Sequence, residues 1–310
     1  MSPVRTVFLG SGPFGVPSFS RLAADRRLDL VGVVTARPRP AGRGQAPRAT
    51  PIDDAAAALG IRTILRPTRL REPAAIESVV ALEPELAVLA DYGQIVPRAL
   101  LGLPRGALNL HPSLLPRHRG ASPIPAAILA GDRETGVTLM RMDEGLDTGP
   151  IMATERLALD GTETADGLEA RLADIAADLV ARSVGPWLAG DLRAAPQPAD
   201  GATLTRPLRR KDGRLDAALP AQAMERRVRA YRPWPGTFLD TSTGRIAVHA
   251  AHVEPSLPGD EPGDLVAHDD GVAFATSDGR LVLDEVQPAG GRPMTGAALR
   301  RGRPGLLGPS

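Results

Sequence analysis

An asparagine and a histidine two residues apart have the clearest capacity for chemistry in this sequence. Asn109 and His111 come at the end of a short apolar run over residues 107–110, which is typical of a β-strand. If the strand continues to His111, both side chains point to the same side of the sheet. An amide and an imidazole that converge on one small group could stabilise an oxyanion. A turn asparagine next to a core or surface histidine is the other interpretation, and the pair alone does not exclude it.

A loop rich in carboxylates follows. Residues 142–150 read Met-Asp-Glu-Gly-Leu-Asp-Thr-Gly-Pro and lie between two predicted strands. Asp143, Glu144 or Asp147 could orient the histidine, and the residues alone do not choose among them. A carboxylate beside the imidazole would raise the histidine pKa and stabilise its charged form, which suits a general acid or an electrophile.

Two further loops also follow predicted strands. Residues 114–120, Leu-Leu-Pro-Arg-His-Arg-Gly, offer leucines that could face a flat heterocycle and arginines that could meet anionic groups. Residues 92–97, Tyr-Gly-Gln-Ile-Val-Pro, could line the same cleft or form a simple strand exit. His111 and His118 have no third ligand nearby in the sequence, so we expect no metal there.

A glycine motif near the start suggests a different chemistry. Residues 10–15, Gly-Ser-Gly-Pro-Phe-Gly, match G-x-G-x-x-G between a predicted strand and a predicted helix, as in dinucleotide-binding proteins. The second strand ends on Thr35-Ala36-Arg37 and lacks the acidic residue that holds a ribose. Pro13 has no N–H to offer a pyrophosphate. The motif therefore favours a tight turn, with an NADP-dependent oxidoreductase as the alternative.

Composition excludes several classes of protein. The 310 residues include no cysteine, which excludes disulfides, a thiolate nucleophile, iron–sulfur clusters and Cys-ligated zinc. The 37 basic and 36 acidic residues nearly cancel, so a polyanion would need a local basic patch. Lys211 is the sole lysine and follows no glycine, which excludes a P-loop. Asn109 is the sole asparagine.

The alternation of strands and helices predicts the elements that position these residues. Short apolar runs alternate with helical patterns along the first 110 residues, which indicates an α/β, Rossmann-like, mainly parallel sheet with helices on both faces. A long helix is predicted over 164–188. The predicted strands are 4–9, 30–35, 61–65, 86–90 and 107–110, and the predicted helices are 16–26, 52–59 and 73–82.

A Gly- and Pro-rich segment predicts the domain division. We expect a first domain over 1–189, a linker over 190–207 and a second domain over 208–310. Short strands between Gly and Asp turns make the second domain a small OB-like β-barrel. No apolar run approaches the roughly 20 residues of a membrane span, and the start lacks a signal peptide, so we expect a cytoplasmic protein without membrane contact.

The order of these motifs resembles the folate-dependent formyltransferases, nearly from end to end. Three departures from the family pattern stand out: Ser11-Gly12-Pro13-Phe14 in place of Thr-Pro-Asp-Phe, Pro125-Ala126 in place of Gln-Arg, and Ala217 in place of tryptophan. The matching segments are Arg39-Pro-Ala-Gly-Arg-Gly44, Tyr92-Gly-Gln-Ile95, Asn109-x-His-x-Ser-Leu-Leu-Pro-x-x-Arg-Gly120, Thr135-Gly-Val-Thr138, Asp143-Glu-Gly-Leu-Asp-Thr-Gly149, Lys211-Asp-Gly-Arg-Leu-Asp216, Pro233-Trp-Pro-Gly236 and Gln287-Pro-Ala-Gly290.

The resemblance implies both an activity and a set of site residues. It implies transfer of a formyl group from 10-formyltetrahydrofolate to the amino group of methionine on initiator tRNA, without a metal, and we expect a monomer. The implied catalytic residues are Asn109, His111 and Asp147. The implied folate-binding residues are Ser113, Leu114, Leu115, Pro116, Tyr92, Gly93, Ile95, Val96 and Asp143. The implied tRNA-binding residues are Arg43, Arg119, Arg209 and Lys211.

Three other functions stay open at this point. A formyltransferase could instead act on a small amine, such as an amino sugar nucleotide or glycinamide ribonucleotide. An NADP-dependent oxidoreductase would use the glycine motif. A noncatalytic RNA-binding protein would use the barrel, although two Tyr and two Trp residues make a thin stacking surface for single-stranded RNA.

Overall fold

A computed structural model describes residues 2–41, 46–242 and 244–307. Arg43 lies outside these residues. The chain divides into two compact units. The first comprises Met1–Pro123, Glu134–Ala158 and Glu169–Thr205, and the second comprises Ile124–Arg133, Leu159–Leu168 and Arg206–Ser310. The predicted division around residues 190–207 stays a prediction.

The elements up to residue 205 alternate as the sequence predicts. The strands are β1 (Val4–Gly10), β2 (Leu28–Val34), β3 (Arg39–Ala41), β4 (Ala46–Arg48), β5 (Ile64–Leu65), β6 (Leu86–Ala90), β7 (Ala107–His111), β8 (Arg119–Gly120), β9 (Glu134–Arg141), β10 (Ile151–Ala158) and β11 (Leu204–Thr205). The helices are α1 (Gly15–Ala23), α2 (Pro51–Ala58), α3 (Pro73–Val80), α4 (Arg98–Leu101), α5 (Pro123–Ala130) and α6 (Ala165–Ala189).

The main sheet of the first unit has the strand order β10-β9-β7-β6-β1-β2-β5. Strands β7, β6, β1, β2 and β5 run parallel to one another. At one edge of the sheet, β9 is antiparallel to both of its neighbours, β7 and β10. Every residue of β6 is buried, as expected of a central strand covered on both faces. This sheet, with the strand domain that follows it, confirms the predicted fold class. The predicted strand over 61–65 is reduced to Ile64–Leu65.

The sheet brings the carboxyl ends of its parallel strands to one edge. Gly10 at the end of β1 pairs with Ala90 at the end of β6, and Ala90 pairs with Leu110 in β7. Neighbouring strands lie about 4.8 Å apart, so the segments that follow β1, β6 and β7 start side by side. Ligands of open α/β sheets bind at this edge.

The second unit is built on an antiparallel sheet with the order β12-β13-β16-β15-β14, and β17 pairs with β16. Its core joins Met224 and Val228 to strand residues such as Ile246, Val272 and Leu283. The elements are α7 (Ala221–Ala230), β12 (Thr237–Thr241), β13 (Gly244–Glu254), β14 (Leu265–His268), β15 (Gly271–Ala275), β16 (Arg280–Pro288), β17 (Met294–Thr295) and α8 (Gly296–Gly302), with 3-10 turns at Arg210–Gly213 and Pro304–Leu306. Over the described residues, no helix is long and apolar enough to cross a membrane.

Candidate active site

Asn109 and His111 project from the end of β7 on the same side of the sheet, because side chains alternate along a strand. Asn109 is half-buried, and its amide forms no hydrogen bond with any residue in the described part of the chain. His111 is only 4% exposed. The strand thus presents one anchored imidazole beside one amide that is free to bind a ligand.

The imidazole is held by a backbone carbonyl. His111 Nε2 lies 2.9 Å from the carbonyl oxygen of His118. A carbonyl only accepts hydrogen bonds, so Nε2 carries the proton and donates it. The amide of His118 in turn donates to Thr203 Oγ1 at 2.8 Å, which fixes the loop that supplies this carbonyl.

Asp147 is the carboxylate of the 142–150 loop that reaches the histidine. Its Oδ2 lies 3.6 Å from His111 Nδ1 and accepts a hydrogen bond of 2.7 Å from the amide of Gly120. Asp143 and Glu144 have other partners: Asp143 Oδ1 accepts from Gly145 N and Thr148 Oγ1. Of the three carboxylates in this loop, the structure therefore identifies Asp147 as the one beside His111, a choice that the spacing of the residues could not make.

Burial lowers the pKa of His111 below its ordinary value, and the nearby Asp147 charge opposes this shift only in part. The carboxylate of Asp147 does raise the His111 pKa as expected, but burial has the larger effect and makes the net shift downward. The physical reason is that the imidazole has almost no contact with water, which penalises its charged form. At neutral pH His111 carries its single proton on Nε2, and the Nδ1 lone pair faces Asp147.

Gln197 positions the Asp147 loop, and sequence analysis gave it no role. Its Nε2 donates to the carbonyl oxygens of Asp147 and Gly149 at 2.7 and 2.8 Å. Its Oε1 accepts two bonds from the Arg119 guanidinium, at 3.1 and 2.6 Å. Gln197 lies in the Gly- and Pro-rich segment 190–207. Its contacts are with residues far away in the sequence, so the composition of the segment gave no signal for them.

The segment after His111 is tied to β9. Ser113 Oγ donates to the carbonyl of Arg117 at 2.6 Å. Thr138 Oγ1 donates to the Ser113 carbonyl at 2.7 Å and accepts from the amide of Leu115 at 3.1 Å. The Leu115–Pro116 peptide bond is cis. These hydrogen bonds hold residues 113–116 against β9.

The loops after β6 and after β9 carry exposed apolar side chains. Ile95 is 74% exposed and Leu146 is 58% exposed. An ion pair of 2.7 Å between Arg98 and Glu144 joins these two loops. Val96, by contrast, is buried and packs in the core cluster of the first unit.

A cleft of about 630 Å³ opens at the carboxyl ends of β1, β2 and β6. Thr50 lies in its wall and caps the start of α2. Its Oγ1 accepts a hydrogen bond from the Asp53 amide, and its own amide donates to Asp53 Oδ2. The lining residues include Ser11, Gly12, Arg37, Arg48, Thr50, Asp54, Asp91, Tyr92, Gly93 and Gln94.

Asp91 is a site residue that sequence analysis missed. A Cβ placed on Gly12 would lie 1.6 Å from Asp91 Oδ2, so the glycine provides the space for this carboxylate. Among the described residues the carboxylate has no hydrogen-bond or ion-pair partner, and desolvation raises the pKa of Asp91. A charged residue directly after a buried strand was the available signal. Its negative charge at the glycine turn also opposes binding of a pyrophosphate there.

The predicted tRNA-binding residues lie in different surroundings. Arg119 is half-buried against Gln197. The Arg209 amide donates to Asp212 Oδ2 at 2.7 Å and so begins a 3-10 turn. Lys211 lines a cavity of about 610 Å³ in the second unit, and three arginines share this cavity: Arg206, Arg214 and Arg227.

Comparison with known proteins agrees with this arrangement. A family model described as formyl transferase matches residues 4–184, and one described as formyl transferase, C-terminal domain, matches residues 207–304. A methionyl-tRNA formyltransferase from Roseiflexus castenholzii is 44% identical over 301 residues, with 96% of each chain covered. One from Myxococcus xanthus is 42% identical over 305 residues, covering 97% of this chain and 96% of that protein.

A solved structure shares the fold. HypX from Aquifex aeolicus, in complex with tetrahydrofolic acid, has a TM-score of 0.63 at 18% identity, covering 96% of this chain and 47% of that one. Identity this low supports the fold alone. The assignment rests on the family model that matches residues 4–184 and on the relatives above 40% identity. This chain belongs to the formyl transferase family.

Proposed function

We propose that this chain transfers the formyl group of 10-formyltetrahydrofolate to the amino group of methionyl-tRNA. The observation that carries the proposal is the placement of Asn109, His111 and Asp147 around the end of β7. The relatives above 40% identity are named methionyl-tRNA formyltransferases, which favours this acceptor over an amino sugar nucleotide or glycinamide ribonucleotide.

The three residues divide the chemistry between them. The acceptor ammonium first releases one proton to solvent, and the neutral amine then attacks the formyl carbon, so that an oxyanion forms as the new C–N bond is made. The unbonded amide of Asn109 donates to that oxygen, and loss of one such donor commonly costs about 10²–10³ in rate. The neutral His111 accepts the proton of the amine on Nδ1, and the imidazolium then faces Asp147. The proton finally passes to N10 of the folate as its bond to the formyl carbon breaks.

The folate is proposed to bind along the fixed segment 113–116 and the two loops that follow β6 and β9. Leu114, Ile95 and Leu146 offer apolar surface to the flat pterin ring. The Arg98–Glu144 ion pair keeps the two loops together at the mouth of this site. Tyr92 and Gly93 line the neighbouring cleft.

The cleft beside Asp91 is proposed to receive the aminoacyl end of the acceptor. Ala90 pairs with Leu110, so Asp91, which follows β6, and His111, which ends β7, lie at the ends of neighbouring strands. The cleft volume of about 630 Å³ lies within the range of small-ligand sites, roughly 300–1,000 Å³. The acceptor enters with an ammonium group, and the carboxylate of Asp91 has no other partner among the described residues. A charge-assisted hydrogen bond between these groups would orient the amine.

Finer assignments also stay proposals. Arg43, Arg119, Arg209 and Lys211 are proposed to contact tRNA phosphates, which position a nucleic acid without reading its sequence. The cavity of the second unit is lined by Lys211 and three arginines but also by Asp212, Asp216 and Asp240, so the proposal for Lys211 rests on the family resemblance and not on a basic surface. We also propose a monomeric enzyme that works in the cytoplasm.

One assay separates these functions. Purified protein is incubated with 10-formyltetrahydrofolate and either methionyl-tRNA, uncharged tRNA or an amino sugar nucleotide, and formylated product is measured. We expect product from methionyl-tRNA alone. Formylation of the amino sugar nucleotide alone, or no transfer together with tight NADPH binding, would overturn the proposal.

A further inference from the structure

A cluster of two histidines and a glutamate lies in the second unit, and none of its residues has a role in the function proposed above. His252 and Glu254 lie on β13 and His268 on β14. One ligand atom from each of the three side chains lies within 4.8 Å of the other two. Glu254 Oε1 is 3.6 Å from His252 Nε2, and Glu254 Oε2 is 3.5 Å from His268 Nδ1.

We infer that His252, Glu254 and His268 form a binding site for a divalent transition-metal ion, with Zn²⁺ as the ion the donor set fits best. Two imidazoles and one carboxylate are a common ligand set for zinc, with water in a fourth position. Zinc–nitrogen distances are about 2.0–2.1 Å, so ligands of a tetrahedral ion lie about 3.4 Å apart. The two glutamate–histidine separations, one to each carboxylate oxygen, are close to this spacing, and all three ligand atoms lie within 4.8 Å of one another.

A fourth residue orients the first histidine for this task. His252 Nδ1 lies 2.9 and 3.0 Å from the two carboxylate oxygens of Asp284 on β16. A carboxylate accepts from the Nδ1 proton, which leaves the Nε2 lone pair directed to the cluster. Metal-bound histidines commonly donate their other ring N–H to a carboxylate.

The position of the cluster in the sheet gives the ion a structural role. β12 pairs only with residues 244–248 of β13, and residues 250–254 pair with β16 on one side. Across the described strands, β14 hydrogen-bonds to β15 and not to β13. The cluster therefore lies between β13 and β14, which share no backbone hydrogen-bond ladder among the described strands. An ion bound there would connect the two strands across this seam of the barrel. An unpaired strand edge is otherwise a weak point of a sheet.

Calorimetric titration of the full chain with ZnCl₂ at about pH 7.5, where unperturbed imidazoles are neutral, tests the inference. We expect one Zn²⁺ per chain, no binding of Mg²⁺, and a rise in Tm with Zn²⁺ because the ion binds the folded state. His252→Ala and His268→Ala should each abolish this binding. Asp284→Asn, which leaves the three ligands in place, should weaken it by about 10–100-fold.

His249→Ala is the matched control. His249 lies on the same strand, but its Nε2 contacts Gln287 Oε1 at 3.1 Å and takes no part in the cluster. This variant should bind Zn²⁺ like the parent protein, and circular dichroism should show all variants folded. Absence of Zn²⁺ binding, or binding that His252→Ala and His268→Ala leave unchanged, would overturn the inference. The sequence analysis predicted no metal because the chain lacks cysteine and because His111 and His118 have no third ligand nearby. His252 and His268 come together only in the folded sheet.

Discussion

The two units each place a histidine beside a carboxylate, and the same pair behaves in opposite ways. In the first unit, burial lowers the pKa of His111 in spite of Asp147. In the second unit, the hydrogen bond that His252 Nδ1 donates to Asp284 raises the pKa of His252, whose side chain is 51% exposed. The two pairs differ both in distance and in access to water: Asp147 lies 3.6 Å from a buried imidazole, whereas Asp284 accepts a hydrogen bond of 2.9 Å from an exposed one. At His111 the cost of burial exceeds the attraction of the carboxylate, and at His252 the hydrogen bond exceeds the cost of burial.

The difference matches the proposed work of each histidine. A neutral buried imidazole can accept a proton during catalysis, and its donor nitrogen is already committed to a carbonyl. The exposed imidazole can release its second proton to water as pH rises through its pKa, and its Nε2 lone pair can then bind an ion from solvent. The following predictions test this contrast, from the largest effect to the smallest.

Replacing the amide of the first unit should have the largest effect. Asn109→Ala should lower kcat by about 10²–10³-fold, because an oxyanion donor is lost, and Tm should hardly change since the amide has no partner among described residues. Steady-state formylation kinetics and thermal unfolding measure the two quantities. The second unit supplies the control: His252→Ala should leave kcat unaltered. A large fall in Tm that accompanies the loss of kcat would argue for a structural role.

Asp91→Asn should mainly raise the KM for methionyl-tRNA, by about tenfold or more, because a charge-assisted hydrogen bond to the acceptor becomes a neutral one. The KM for 10-formyltetrahydrofolate should stay unchanged. Asp178→Asn, which changes an exposed carboxylate of α6 that pairs with Arg21 and has no part in the cleft lining, serves as the matched control. An increase in the KM for 10-formyltetrahydrofolate instead of the KM for methionyl-tRNA would contradict the proposal that Asp91 binds the acceptor.

Gln197→Ala should reduce kcat by about tenfold, since the Asp147 and Gly149 carbonyls lose a shared donor and the carboxylate is less well fixed. Gln197→Glu keeps the shape and the bond to Arg119 but removes the donor, so it should be equally slow. Full activity in Gln197→Glu would show that the Arg119 contact is the one that matters.

The opposite pKa shifts predict opposite pH dependences. Because its folded pKa is lowered, His111 makes kcat fall, and folding weaken, only as pH drops below the ordinary histidine range near 6.5. Because its folded pKa is raised, His252 contributes stability below that range and loses it as pH rises through the folded value. Solvent screening keeps the His252 contribution under about 1 kcal/mol.

NMR titration of the histidine ring protons measures both shifts directly. His252→Gln should lower Tm at acidic pH and leave it unchanged at alkaline pH. If both histidines titrate on the same side of the unperturbed value, the proposed contrast between them fails.

Local patterns were sufficient for the elements and for the strand that carries the chemistry. Apolar runs bounded by Gly and Pro located β1, β6 and β7, and alternation along β7 placed Asn109 and His111 on one side. The choice of Asp147 came from a resemblance, because three carboxylates share its loop and nothing in their spacing ranks them. Asp91, Gln197 and the direction of the His111 pKa shift were missed for a common reason: each depends on residues far away in the chain.

The sequence by itself determined the order of strands and helices, the exclusion of thiol chemistry, and the residues able to donate or accept protons. Only the tertiary structure decided which carboxylate faces His111, that Gly12 provides space for Asp91, and that His252 and His268 meet across a seam between β13 and β14. The physical reason is that periodicity and composition are local, whereas desolvation and side-chain distance arise when strands distant in the chain pack together.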